Sequence, residues 1–323
     1  MAKPAFLITI DTEGDNLWQK HDCITTENAR YLPRFQALCE KYGFKPVYLT
    51  NYEMVVDPFY IEFARDVIAR NTAEVGMHLH AWNSPPLSTL TDDDWLHKPY
   101  LIEYPDKVMK EKVSFMTQLL EDTFQKKMVS HRAGRWAFDE RYAALLLEEG
   151  YLVDCSVTPR VDWRGAKGVP AGKGGTNYRD FPTHAYFMDI NDIGREGNSP
   201  LLQVPMSIQY KHSALMNKIK QGYDKLRGKS RSPSVHWLRP MGGNITSMQR
   251  VVEQVLSSGS DYVEYMLHSS EYMPGGSPTF KTDKDIEQLY CELEELFAWL
   301  QPRVRGMTLA EYYQEKVTTS FNV

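Results

Sequence analysis

The 323-residue sequence contains no apolar run long enough to cross a lipid bilayer. A transmembrane helix needs about 18 consecutive apolar residues, and no stretch approaches that length. The N-terminal apolar run, Ala5–Ile10, is also too short for a signal peptide and meets Asp11 and Glu13 at once. We therefore expect a cytoplasmic protein without stable membrane insertion.

Cysteine pairs and excess positive charge are also lacking. The four cysteines form no CxxC pair, so a disulfide framework or a cysteine-liganded zinc site is not expected. The net charge is −5, from 37 Lys and Arg against 42 Asp and Glu. Because phosphate contacts need a basic surface, nucleic acid is not an expected partner. No GxSxG motif occurs, which argues against a serine nucleophile on an α/β-hydrolase turn.

Strand and helix patterns alternate along most of the chain. Predicted strands cover residues 5–10, 46–50, 74–80, 127–132, 151–157, 201–208 and 261–268, and predicted helices cover 26–42, 58–70, 105–124, 139–149, 246–256, 283–300 and 309–316. Strands separated by helices imply parallel pairing through right-handed crossovers. No linker divides the chain, so the sequence predicts a single α/β domain over 1–323 with a long insertion at about 160–245.

Ionisable side chains gather where the predicted strands end. They are Asp11 and Glu13 after the first strand, His78 and His80 after the third, His131 and Arg132 after the fourth, Asp154 in the fifth, and His268 and Glu271 after the last. In a parallel barrel, the loops at the carboxyl ends of the strands carry the chemistry. These residues are therefore the candidates for an active site.

The spacing of two of these groups indicates a metal site. His78 and His80 are two residues apart, and so are Asp11 and Glu13, so each pair shares one face of its strand. Two imidazoles and one or two carboxylates suit a divalent metal such as zinc, with a position open for water. A His-x-His pair alone is also compatible with a structural role, but the carboxylates at another strand end favour the metal.

Two further residues are candidates for a role in catalysis. Arg132 directly follows an apolar strand and lies close to several acids, where it would keep a carboxylate ionised and oriented. His268 closes the apolar run Val263–Leu267 and is a candidate general acid.

Five motifs, in this order, resemble the polysaccharide deacetylase superfamily, also called the NodB-homology family or carbohydrate esterase family four. They are Thr-Ile-Asp-x-Glu-Gly from residue 9, Glu-Val-Gly-Met-His from 74, His-Arg-Ala-Gly-Arg-Trp from 131, Tyr-x-x-Asp-x-Ser-Val-Thr-Pro from 151 and Met-Leu-His from 266. The similarity covers about residues 5–157 and 260–310. It is greatest to the branch of deacetylases assigned to bacterial O-antigen and other surface-polysaccharide loci.

The resemblance implies a fold, an activity and roles for single residues. The family fold is an irregular seven-stranded (β/α) barrel, and its members remove N- or O-acetyl groups from sugars in a metal-dependent reaction. Asp11 matches the family's general base, Arg132 the arginine that orients this base, and His268 the general acid. His78 matches the first metal-binding histidine.

The sequence departs from the family pattern at two metal-binding positions. Thr12 stands where the family has its metal-binding aspartate, and Trp82 stands where it has the second histidine. We expect Glu13 and His80 to replace these ligands.

Together these observations predict a zinc-dependent hydrolase that deacetylates a sugar for surface-polysaccharide (O-antigen) biosynthesis. Trp82, Trp136 and Trp163 follow strand ends and are candidates for stacking on sugar rings, and Glu271 is a further candidate for substrate binding. Two alternatives stay open. One is a catalytically inactive carbohydrate-binding barrel, and the other is a different hydrolase, either an amidase or a glycoside hydrolase with paired carboxylates. The sequence gives no indication of the oligomeric state.

The centre of the chain combines glycine with positive charge. Five glycines fall between Gly165 and Gly175, and residues 211–231, which are predicted to form a helix, contain seven Lys or Arg against one acid, Asp224. A lid that closes on an anionic substrate is one interpretation, and a solvated helix beside a passive loop is the other.

Overall fold

A sheet of mainly parallel strands forms the centre of the computed structural model, which describes residues 3–17, 23–213, 216 and 233–320. The parallel strands, numbered in chain order, are β1 (Ala5–Thr12), β2 (Pro46–Thr50), β3 (Glu74–Leu79), β4 (Ser130–Ala133), β5 (Val153–Asp154), β8 (Leu202–Gln203) and β11 (Tyr262–His268). They pair in the order β11-β1-β2-β3-β4-β5-β8. Each predicted strand therefore overlaps an observed one.

Part of the predicted insertion belongs to this sheet. An antiparallel hairpin, β6 (Tyr186–Asp189) and β7 (Asp192–Glu196), extends the sheet beyond β8, and β12 (Arg305–Met307) pairs with β1. The sheet has ten described strands where the sequence predicts seven, and it is curled and open at β11 and β7. A separate two-stranded sheet consists of β9 (Ile208–Tyr210) and β10 (Val235–Trp237). Apart from 211–213 and 216, the predicted basic helix over 211–231 lies outside the described residues.

Helices connect the strands. They are α1 (Leu32–Lys41), α2 (Tyr52–Val55), α3 (Pro58–Ala69), α4 (Asp94–His97), α5 (Asp106–Phe124), α6 (Glu140–Glu148), α7 (Ile245–Ser257), α8 (Asp283–Leu300) and α9 (Leu309–Ser320). Side-chain oxygens of Asp57, Asp139 and Thr282 accept hydrogen bonds from first-turn N–H groups of α3, α6 and α8, which is how such residues cap helices. Among the helices described, none combines the length and the apolar character that crossing a bilayer requires.

The alternation of side chains along β1 explains where the polar site forms. Phe6, Ile8 and Ile10 pack in the larger apolar cluster, while Ala5 and Leu7 pack in a second cluster that includes residues of α9. Because every second residue shares a face, Thr9 and Asp11 continue the face of Ala5 and Leu7. This face is thus apolar at its N-terminal end, beside α9, and polar at its carboxyl end.

Candidate metal and catalytic site

Three buried side chains, Glu13, His78 and His80, converge at the carboxyl ends of β1 and β3, with ligand atoms that all lie within 4.8 Å of one another. The Nε2 atoms of His78 and His80 are 3.2 Å apart. Glu13 Oε2 lies 2.7 Å from His80 Nε2 and 3.4 Å from His78 Nε2. Zinc–nitrogen bonds of about 2.0–2.1 Å in a tetrahedral site would place neighbouring donor atoms about 3.3 Å apart. The donor set therefore fits a divalent ion in size as well as in chemistry.

Backbone and polar groups behind the triad fix its orientation. His78 Nδ1 lies 2.9 Å from the Arg132 carbonyl oxygen, so it must donate a proton there, and in the neutral imidazole Nε2 then directs its lone pair towards the triad. Asn28 Nδ2 and Ser269 Oγ donate to the Glu13 carbonyl oxygen at 2.7 and 2.9 Å. His78 and Glu13 are therefore held in place by neighbouring groups outside the triad.

The charge states of the triad also suit a cation. Burial opposes ionisation of Glu13, but hydrogen bonds to His78 and His80 bring its pKa well below the usual glutamate value. Burial lowers the pKa of His80, whereas Asp11 and Glu13 outweigh burial and raise that of His78. An ionised carboxylate among imidazoles attracts a positive charge, whether a proton or a metal ion.

Arg132 lies fully buried between two carboxylates. Its Nη1 donates to Asp11 Oδ1 at 2.6 Å, and its Nη2 donates to Glu264 Oε1 at 2.5 Å and to Thr9 Oγ1 at 2.7 Å. Burial favours the neutral form of Asp11, but the adjacent guanidinium outweighs it and lowers the pKa of this carboxyl. The predicted contact of Arg132 with acids is thus present, and the two acids are Asp11 and Glu264.

Glu264 is a buried acid that the sequence analysis missed. It lies in the middle of β11, opposite Leu7, with Thr9 Oγ1 donating to it at 3.0 Å. Burial raises its pKa to about 7, and its Oε2 atom has no hydrogen-bond partner among the described residues. A single acid inside an otherwise apolar strand was the signal that could have pointed to it.

His268 faces Asp11 and Glu13 at the end of β11. Its Nε2 lies 3.8 Å from Asp11 Oδ2 and 3.9 Å from Glu13 Oε1. Its Nδ1 lies 2.9 Å from Glu271 Oε2, which also accepts a hydrogen bond from Arg239 Nη2 at 2.7 Å. Glu271 is 1% exposed and does not line the cavity described next, so the structure places it behind His268 rather than beside a substrate.

A cavity of about 370 Å³ opens in front of these groups. Eight of the residues that line it are candidates from the sequence, namely Asp11, Glu13, His78, His80, His268, Trp82, Trp136 and Trp163. The other lining residues were not predicted, and they are Leu17, Lys98, Tyr100, Arg135, Ala166 and Arg239. Arg132 is hidden beneath the floor, with its guanidinium 4.7 Å from the centre of the Trp136 ring. Indole rings and carboxylates lining one cavity are typical of a site for a polar, ring-shaped ligand.

The glycine-rich loop contributes one wall of the cavity through Ala166, whose carbonyl oxygen accepts a hydrogen bond from Tyr100 at 2.9 Å. The backbone wraps closely around Glu103, which accepts a hydrogen bond from Val169 N at 3.0 Å. A Cβ at Gly168 would lie closer than 3 Å to the Glu103 carboxylate. Glycine at position 168 therefore lets the loop backbone approach Glu103 closely enough for the hydrogen bond from Val169 that holds the loop.

Comparisons with known proteins give a fold and not a family membership. No protein-family model and no curated protein matches the sequence. Among solved structures, a provisionally named polysaccharide deacetylase from Mycobacterium smegmatis is similar with a TM-score of 0.57 and 13% identity, over 99% of this chain and 95% of that one. A probable polysaccharide deacetylase from Pseudomonas aeruginosa follows with a TM-score of 0.54 and 11% identity, over 96% of this chain and 89% of that one.

The same fold also occurs with other chemistry. A 4-alpha-glucanotransferase from Thermococcus litoralis is similar with a TM-score of 0.55 and 12% identity, over 98% of this chain but 41% of that one. The chain thus has an α/β fold with a curled sheet that it shares with polysaccharide deacetylase structures. Because one fold hosts several reactions, the choice between them has to come from the site.

Proposed function

We propose that this chain is a metal-dependent hydrolase that removes an acetyl group from a sugar. The observation that carries the proposal is the geometry at one end of the sheet, where a metal-binding donor set lies beside an acid–base pair. The donor set is Glu13, His78 and His80, and His268 Nε2 lies within 4 Å of both Asp11 and Glu13. The fold shared with polysaccharide deacetylase structures supports the same reaction.

The donor set favours zinc over magnesium or calcium. Imidazole nitrogen suits zinc and other transition metals, whereas magnesium and calcium prefer an all-oxygen site. A divalent ion held by Glu13, His78 and His80 would polarise an acetyl carbonyl and acidify a water molecule.

Asp11 is the general base in this proposal. Its Oδ1 atom is bound to Arg132, which leaves Oδ2 to accept the proton of the attacking water. The guanidinium lowers the pKa of Asp11, so the carboxylate is ionised at neutral pH and ready to accept that proton.

His268 is the general acid. Its Nδ1 lies 2.9 Å from Oε2 of the buried Glu271, which fixes the orientation of the ring, and its Nε2 lies 3.8 Å from Asp11 Oδ2. A proton on Nε2 can therefore pass to the amine or alcohol that leaves the acetyl group. We assign Glu271 to orienting His268, and we assign Trp82, Trp136 and Trp163 to stacking on the sugar.

The motif resemblance, rather than the geometry, assigns the substrate to surface-polysaccharide biosynthesis. On that basis we propose an acetylated sugar precursor of O-antigen or a related polymer.

Metal analysis of the purified protein and of single variants tests the donor set. We expect one equivalent of zinc in the wild type and in His184→Ala, a control whose imidazole is 56% exposed and pairs with Glu196. His78→Ala and His80→Ala should each lose tight binding, because each removes one of three donors. A full equivalent in either of these variants would show that the altered histidine is not a ligand.

Acetate release from acetylated sugars tests the reaction. Asp11→Asn and His268→Ala should keep the metal and the fold but lose about 10²- to 10⁴-fold in turnover, the usual contribution of a general base or acid. Acetate release at the wild-type rate by either variant would contradict its assignment. A wild-type protein that binds zinc and sugars but releases no acetate would instead be a binding protein.

A further inference from the structure

Two cations line the cavity on the side of His80 and Glu13. The Arg135 guanidinium donates to the carbonyl oxygens of Lys98 and Lys167, the latter at 3.0 Å, and Lys98 Nζ donates to the Leu17 carbonyl oxygen. Lys98 Nζ also lies 5.5 Å from the centre of the Trp82 ring. These neighbours satisfy hydrogen bonds, but carbonyl groups and rings carry no net negative charge.

No carboxylate lies within 4 Å of either cation in the part of the chain that the structure describes, and the other charges of the cavity already have partners. Asp11 is paired with Arg132, and Arg239 is paired with Glu271. Glu13 belongs to the metal-binding donor set and contacts His80. Among the described lining residues, Lys98 and Arg135 are thus the positive charges that form no salt bridge, and Glu13 and Glu103 act on them only from beyond 4 Å.

The backbone at both residues has an uncommon conformation. Lys98 has φ and ψ of 49° and 62°, and Arg135 has 54° and 26°. Both lie in the left-handed region, which costs free energy for residues other than glycine and is often retained at ligand-binding sites. The carbonyl oxygen of Lys98 accepts a hydrogen bond from the guanidinium of Arg135, so the two residues are neighbours in the lining of the cavity.

From these observations, and resting on the proposed deacetylase function, we propose that Lys98 and Arg135 bind a negatively charged group on the acetylated sugar. A carboxylate or a phosphate would supply acceptor oxygens and the negative charge that no described protein group supplies within 4 Å of the two cations. The aromatic rings of Trp82 and Tyr100 lie beside the two cations, since Arg135 is 4.2 Å from the centre of the Tyr100 ring. The sugar ring and its anionic group would thus be held by adjacent parts of one wall.

Calorimetric titration of the zinc-loaded Asp11→Asn variant measures binding while turnover is slow. The three probes are N-acetylglucosamine, N-acetylglucosamine 1-phosphate and an N-acetylated aminouronic acid, which are respectively neutral, phosphorylated and carboxylated. We expect at least one anionic sugar to bind about 10- to 100-fold more tightly than the neutral sugar, the range for a charged hydrogen bond. That preference should shrink as salt is added, and the tighter anion identifies the group.

Substitutions at Lys98 then locate the source of the preference. Lys98→Gln in the same background should remove most of the preference, whereas Lys98→Arg, which keeps the charge, should retain it. Lys107→Gln is the matched control, because this lysine is 86% exposed and lies outside the cavity. Equal affinity for all three sugars, or an equal loss in Lys107→Gln, would overturn the proposal.

These experiments distinguish failure of the anion site from failure of the proposed deacetylase function. Preferential binding of an anionic sugar that depends on Lys98, without acetate release by the wild type, would retain the anion site and refute the deacetylase. Acetate release with equal affinity for charged and neutral sugars would refute the anion site alone.

Discussion

Replacement of Glu264 by glutamine should make the protein more stable above neutral pH. Burial raises the pKa of Glu264 to about 7, so the folded protein keeps a proton that the unfolded chain releases near the usual value of 4.5. Between these two values the unfolded state binds fewer protons than the folded state, and stability falls as pH rises. Glutamine resembles the protonated acid and does not ionise, so the variant escapes this loss.

The size of the effect follows from the two pKa values. The shift of the Glu264 pKa from 4.5 to about 7 corresponds to about 3 kcal/mol in the free energy of unfolding, because each tenfold change in proton affinity is worth about 1.4 kcal/mol. At pH 8 the full difference should appear, whereas at pH 5 it should be about 1 kcal/mol or less. The amide oxygen can accept the hydrogen bonds that Arg132 and Thr9 now donate to Oε1.

Urea unfolding at pH 5 and pH 8 measures the difference directly. Glu253→Gln serves as the control, because Glu253 is exposed on α7. This substitution should change the free energy of unfolding by less than about 0.5 kcal/mol at both pH values. A variant less stable than the wild type at pH 8 would refute the reasoning, since Glu264 would then stabilise the fold in its ionised form. A gain of equal size at both pH values would also refute it, because protonation would not be its source.

Two further predictions concern the cavity wall and the cysteines. Gly168→Ala should lower the free energy of unfolding by about 1–3 kcal/mol in denaturant titrations, because its Cβ would collide with Glu103, whereas Gly165→Ala meets no atom within 4 Å and should be neutral. Equal stability of the two variants would show that the loop is not held as described. In thiol titration the exposed Cys23 and Cys291 should react quickly, and the two buried cysteines should react only after unfolding. Fast reaction of all four would contradict the core packing.

The site residues that obey strand periodicity could be predicted from the sequence. The spacing of two places His78 and His80 on one face, and both line the cavity. The same rule separates His131 from Arg132. His131 is buried against Asp154 and Tyr142, at 2.7 Å from each, on the face opposite to the guanidinium.

The residues supplied by loops could not be predicted in the same way. Lys98, Arg135 and Arg239 reach the cavity from turns, where no repeat of the sequence specifies the path of the backbone. Their positions depend on tertiary contacts, such as the bond from Arg135 to the Lys167 carbonyl. A left-handed conformation at a lysine or an arginine also has no signal in the sequence, because glycine is the residue that usually marks it.

The sheet shows a similar limit. The sequence predicts strands over 151–157 and 201–208, but their paired parts in this sheet, β5 and β8, contain only two residues each, and β8 lies within the predicted insertion. Pairing with β5 and β6 makes this short segment a strand. Long strands such as β1 could be located from their composition because they are buried along their whole length.

Two of the contacts of Arg132 have an evolutionary consequence. Its guanidinium holds Asp11, but the contact with His78 is made by its carbonyl oxygen, which every amino acid possesses. In the proposed mechanism, a codon change at position 132 would therefore remove the partner of the base Asp11 while leaving the backbone acceptor of the His78 imidazole in place. If the proposed function is correct, descendants of this chain would lose catalysis in one step and keep the donor set Glu13, His78 and His80, from which a carbohydrate receptor could evolve.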